Sequence, residues 1–132
     1  MKRILVIDDD KHVRQMLRLM LEHADYSVAD ASDGEVGLRL YREAPFDLII
    51  TDIFMPEKEG LETIRELKKD YPDVRIIAIS GGGSTGKFSY LPLAKSFGAL
   101  RTISKPFRKQ EILAAVRDVL EGNGEEGLPQ EE

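Results

Sequence analysis

The 132 residues carry 42% hydrophobic and 33% charged side chains, enough for one core of ordinary domain size and too few for two. With 19 basic against 24 acidic residues the net charge is −5, which disfavours binding to nucleic acid by this domain alone or adhesion to anionic lipid. The absence of cysteine excludes disulfides, thiol catalysis and cysteine-bearing zinc sites, and no apolar run approaches the ~18 residues of a membrane span, so membrane insertion is not expected.

The start, MKRILVIDDD, meets three carboxylates after four apolar residues, so it is not a secretory signal and a cytoplasmic location is expected. In chain order, Arg3–Ile7 reads as a strand. Val13, Met16, Leu17, Met20 and Leu21 then fall at helical spacing, predicting an amphipathic helix that begins near Asp10. Ser27–Ala31 reads as the second strand and 34–43 as a helix; Asp47–Thr51 is the third strand, followed by a helix over 60–70 that stops before Pro72. Val74–Ile79 is the fourth strand, with a helix over 88–97 ended by Gly98. Leu100–Ile103 is the fifth, and Ile112, Leu113, Val116, Val119 and Leu120 mark a last helix.

Strict alternation with short connections predicts an α/β fold of (βα)5 type, with right-handed crossovers and a parallel sheet covered by helices on both faces. The continuous apolar strands ILVI, LII and IIAI agree with two-sided burial. Residues 1–121 form one domain in this reading, and 122–132, rich in Gly and Glu, a flexible acidic tail or linker.

In open α/β sheets, ligands bind at the carboxyl ends of the strands. Strand 1 runs into Asp8, Asp9 and Asp10, strand 3 into Asp52, strand 4 into Ser80 and three glycines, and strand 5 into Ser104, Lys105 and Pro106. Asp10, just before a helix, reads as an N-cap rather than a further ligand. Strand 2 offers Asp30, Ser32 and Asp33, which look like turn and capping chemistry.

The stretches VIDDD (6–10), DLIITDIFMP (47–56), AIS (78–80) and SKPF (104–107), in that order and each at a strand end, resemble the receiver domain of two-component response regulators. The resemblance implies strand order 2-1-3-4-5 in a doubly wound, CheY-like sheet. It implies Asp52 as phosphoacceptor, with Ser80 and Lys105 as its companions. Asp8, Asp9, Asp52 and the backbone carbonyl of Phe54 would be the ligands of Mg²⁺. The implied partners are a sensor histidine kinase or phosphotransfer protein and an unknown downstream protein; the implied role is a signalling switch and not a turnover enzyme. The chemistry agrees: an aspartate that attacks a phosphoryl group brings anions together, so a dication and an ammonium must offset their field.

Some residues depart from the family pattern. Thr102 stands where an aromatic is usual, so a rotating-aromatic switch is not assumed, and the glycines after Ser80 suggest a mobile loop there. Phe54 is placed to shield an acyl phosphate, while Gly82 leaves its own side open. A cis Lys105–Pro106 bond is implied by the resemblance, against the trans bond that is commoner in general. The run GGGSTGK (81–87) mimics a phosphate-binding loop, but Phe88 replaces the Ser/Thr that such a loop needs. His12 and His23 lie off the apolar stripe and read as solvated; Leu91, Ala94 and Phe97 read as core, leaving Phe88 and Tyr90 exposed. Two other readings are a receiver-like binding module that never carries phosphate, and an aspartyl-phosphate phosphohydrolase. The second lacks a general acid, because Phe54 stands two residues after Asp52.

Overall fold

The computed structural model describes residues 1–53, 60–80 and 91–122, with the side chains of 91–93 left aside. Five strands, β1 (Arg3–Ile7), β2 (Ser27–Ala31), β3 (Leu48–Asp52), β4 (Ile76–Ser80) and β5 (Arg101–Ser104), pair in parallel in the order β2-β1-β3-β4-β5. They alternate with α1 (Lys11–His23), α2 (Gly34–Glu43), α3 (Gly60–Asp70), α4 (Leu91–Phe97) and α5 (Lys109–Leu120). The predicted architecture and strand order are thus the observed ones. Among the described residues no helix is long and apolar enough to cross a membrane.

Successive side chains of a strand point to opposite faces, and this splits the core in two. Leu5, Ile7, Ile49, Ile76 and Ala78 pack under α2, α3 and α4 with Leu38, Tyr41, Ile64, Leu67 and Ala94. Ile4, Val6, Leu48, Ile50, Ile77 and Ile79 pack on the other face under α1 and α5 with Leu17, Leu21, Ile112, Val116 and Val119. Each fully buried aliphatic side chain contributes about 1.5–3 kcal/mol, so β1, β3 and β4, apolar on both faces, form the rigid centre.

Local signals set the helix starts. Asp10 caps α1 by accepting from the backbone N–H of His12 at 2.8 Å, and Asp33 caps α2 by accepting from Val36 N at 2.9 Å. β1 and β2 keep their predicted bounds, whereas β3, β4 and β5 sit one or two residues later than the hydrophobic runs suggest. Val74 is still tied to Tyr71 by a backbone hydrogen bond of 2.9 Å, which closes the turn after α3 and delays β4. At the other end pairing carries on through polar residues, with Asp52 opposite Ile79 and Ser80 opposite Ser104. Met16, placed on the α1 stripe by its spacing, is 40% exposed, because the buried side of the helix is centred on Leu17 and Leu21. Ala94 is buried and Phe97 packs against the core as expected; Phe88, Tyr90 and the side chain of Leu91 lie outside the described residues.

Gly60 opens α3 against the end of β3. A Cβ there would lie 2.0 Å from the Asp52 carbonyl oxygen and 2.4 Å from Ile53 Cα, both backbone atoms that cannot swing aside. Gly60→Ala is therefore expected to cost about 1–3 kcal/mol, as overpacking does, measurable by urea unfolding. A cost near zero would mean that α3 is free to step away from β3.

Candidate functional site

β1, β3, β4 and β5 end side by side at one rim, and their last residues carry the polar groups. Asp8 follows β1 with its backbone N–H donating to Ala31 O at 3.1 Å. Asp52 closes β3, and the next N–H, of Ile53, donates to Ile79 O at 3.0 Å. Ser80 closes β4, its carbonyl accepting from Lys105 N at 2.9 Å. Asp8, Asp52 and Ser80 are only 1%, 5% and 3% exposed. Position along a rigid strand, and not loop flexibility, fixes these three.

The Lys105 ammonium lies between the two buried carboxylates, 3.1 Å from Asp8 Oδ2 and 3.3 Å from Asp52 Oδ2. The other Asp8 oxygen accepts from Asp10 N at 2.8 Å. Asp9 is exposed, yet Asp8, Asp9 and Asp52 each offer one carboxylate oxygen within 4.8 Å of the others. The Lys105–Pro106 peptide is cis. The structure therefore brings together Asp8, Asp9, Asp52 and Lys105, with Ser80 at the end of the adjoining strand. Phe54 and the Gly81–Tyr90 segment, including the phosphate-loop mimic, lie outside the described residues.

The electrostatics follow from burial. Removal from water pushes the Asp8 carboxyl above its usual range, and Asp52 adds repulsion; the Asp10 N–H and Lys105 pull the other way without cancelling it. Burial pulls the Lys105 ammonium down, but the Asp52 and Asp8 charges outweigh it and hold the group above its ordinary value. Asp10 is held below the carboxylate range by the His12 and Val13 N–H groups, which marks it as a cap.

Three carboxylates against one ammonium leave a formal excess of two negative charges, the charge of a divalent cation. Octahedral Mg²⁺ sets adjacent oxygens about 3 Å apart and opposite ones about 4 Å apart. Three oxygens within 4.8 Å of one another match that spacing after a small closure, so the donor set fits a hard dication.

One assignment changes. Asp30 is no turn residue: it lies within β2 and accepts Arg18 Nη1 at 3.0 Å, with Arg14 Nε 3.7 Å away. Its role rests on a pairing across elements that spacing along the chain does not show. Thr102 pairs with Ala78 in the sheet and carries no ring. Arg14 and Gly60, both in contact with backbone at the rim, were not visible as site residues in the sequence. His12 and His23 are exposed, as expected.

The family model for the response regulator receiver domain matches residues 4–117. Chemotaxis protein CheY of Halobacterium salinarum is 34% identical over 120 residues, which cover 90% of this chain and 97% of that protein. Transcriptional regulatory protein CpxR of Klebsiella pneumoniae is 32% identical over 120 residues; they cover 91% of this chain and half of that protein's length. Among solved structures, response regulator TrrA of Thermotoga maritima in complex with Mg(2+)-BeF superposes with a TM-score of 0.80 at 32% identity, over 90% of this chain and 99% of that one.

If Asp8 bears a burial and repulsion cost in the metal-free protein, Asp8→Asn removes it and melts higher than wild type at neutral pH. The sign follows from linkage. A carboxyl raised on folding binds its proton more tightly in the native state, so wild-type stability falls as pH rises through the raised value. Below about pH 4, where Asp8 is protonated in both states, the advantage of the variant vanishes. Excess Mg²⁺ raises the wild-type midpoint by mass action but leaves the variant nearly unmoved. Melting curves by circular dichroism at acid and neutral pH, with and without Mg²⁺, check all three.

Proposed function

The chain belongs to the response regulator receiver domain family, and on that footing we propose that it is a phosphorylation-controlled switch with Asp52 as phosphoacceptor. The observation that carries this reading is the Lys105 ammonium held between the buried Asp8 and Asp52 carboxylates, with Asp9 in reach of both. The donor is the phosphohistidine of a sensor kinase or phosphotransfer protein, or a small acyl phosphate.

An Asp52 carboxylate oxygen attacks phosphorus. The bond between phosphorus and the donor nitrogen breaks, its electron pair returns to the imidazole, and an acyl phosphate remains on Asp52. Asp8, Asp9 and Asp52, with the backbone carbonyl of Phe54, would hold Mg²⁺, which when bound offsets the charge of the incoming phosphoryl oxygens. Lys105 already faces Asp52 and supplies a fixed ammonium where negative charge gathers. Ser80, at the end of the strand beside β3, would donate its hydroxyl to a phosphoryl oxygen. No carboxylate stands two residues after Asp52, so rapid hydrolysis lacks a proton carrier.

The switching surface is the segment after Ser80 together with α4. Phosphorylation draws Ser80 toward the new anion and thereby shifts that surface between two states with different affinity for a downstream protein. Without an aromatic at Thr102, the signal passes through Ser80 and not through a ring rotating on β5. We place the switch within residues 1–121, and in the cytoplasm.

Incubation of the full chain with acetyl phosphate and Mg²⁺ should give an adduct of one phosphoryl group by intact-mass spectrometry, absent in Asp52→Asn. Lys105→Ala should slow its formation on the order of 10²-fold, the typical loss when a fixed charge at the transition state is removed. An unmodified wild type would point to an inert binding module instead, and catalytic release of phosphate to a hydrolase.

A further inference from the structure

Beyond the groups that face the phosphoacceptor, one cation is aimed at the backbone of the acidic pair. Arg14, in the first turn of α1, donates from Nη1 to the Asp8 carbonyl oxygen at 2.8 Å. Its Nε lies 3.7 Å from Asp30 Oδ1 on β2, and Asp30 in turn accepts Arg18 Nη1 at 3.0 Å. Arg18 Nε closes the chain on Glu22 Oε2 at 3.0 Å. The Arg14 side chain is 18% exposed and that of Asp30 29%, so both are sheltered more than an ordinary surface pair.

The Asp8 carbonyl belongs to the peptide that joins Asp8 to Asp9. Fixing that oxygen fixes the peptide plane, and with it the direction in which the Asp9 side chain leaves the backbone. Asp8 is held independently through its side chain by Asp10 N and Lys105. Among the described residues no hydrogen bond holds the Asp9 carboxylate, so its aim depends on the backbone alone. The cation site itself gives no electrostatic reason for an arginine here, because a guanidinium beside it repels the cation. We propose that Arg14 is a positioning residue for the metal pair. Anchored on Asp30, it ties the Asp8–Asp9 peptide to the β2 edge so that both carboxylates face one ion. This inference rests on the reading of Asp8 and Asp9 as Mg²⁺ ligands.

The two effects of Arg14 have opposite signs, and this makes the test decisive. Removing a nearby positive charge by itself tightens Mg²⁺ binding, whereas releasing the peptide weakens it. Isothermal titration of the full-length chain with Mg²⁺, without phosphodonor, should give a dissociation constant on the order of tenfold higher for Arg14→Gln, as for other residues that orient metal ligands. Arg14→Lys keeps the charge and the helix propensity but not the two-ended fork, so it too should bind more weakly, by a few-fold. With acetyl phosphate, half-saturating Mg²⁺ should rise by more than the rate at saturation falls, a split that general loss of structure does not produce. If Arg14→Gln binds Mg²⁺ as tightly as wild type or more tightly, or if Arg14→Lys is indistinguishable from wild type, the positioning role is overturned while the phosphoacceptor reading stands. A wild type that takes up no Mg²⁺ overturns both.

Discussion

Two carboxylates buried side by side are tolerable only because an ammonium sits between them. At the effective dielectric of about 20 that suits such sites, unit charges about 3 Å apart interact by about 5 kcal/mol, so Lys105 supplies two attractions of that size. The repulsion between Asp8 and Asp52, whose oxygens approach within 4.8 Å, is smaller than their sum. The cluster therefore holds together without metal, yet the burial of Asp8 is not fully offset, as its raised carboxyl shows. A site balanced in this way is ready for further positive charge. One ammonium offsets part of their repulsion and aligns the carboxylates without cancelling the charge of the cluster.

The sheet makes this balance possible. Asp52 and Ser80 are the last paired residues of the neighbouring inner strands β3 and β4, and Lys105 is tied to Ser80 through the backbone. Contact with α3 at Gly60 presses on the Asp52 carbonyl from one face, and Arg14 of α1 grips the Asp8 carbonyl from the other. Both helical layers thus brace the same rim through backbone atoms, while the charged ends of Asp8 and Asp52 point into the small space they share with Lys105. Asp9 alone is open to solvent, which gives the cluster a side by which an ion can enter.

What was legible in the sequence was whatever repeats or stands at the end of a repeat. Alternation of apolar runs with helical stripes gave five βα units, and the polar residues just past each run gave Asp8, Asp9, Asp52, Ser80 and Lys105. Asp10 was legible as a cap because capping is a local interaction over two or three residues. Strand limits were less so. Backbone pairing in a sheet continues as long as a neighbour is present, and thus it extends through Asp52 and Ser80 while leaving Val74 and Arg75 to the turn before β4. Asp30 and Arg14 were missed because their pairing joins α1 to β2 and to the strand end at once, and no period along the chain marks it. Gly60 gave no signal of its own, since only the approach of α3 to β3 makes a missing side chain necessary.

The brace is uneven around the rim, and the unevenness bears on where a switch can act. Asp8 and Asp52 are gripped from both layers, so a shift there would break well-packed backbone contacts. Ser80 differs from them in its ties: it is the last residue of a strand buried on both faces, and its carbonyl holds the Lys105 backbone, so the ammonium and the hydroxyl end are fixed to one another along the sheet.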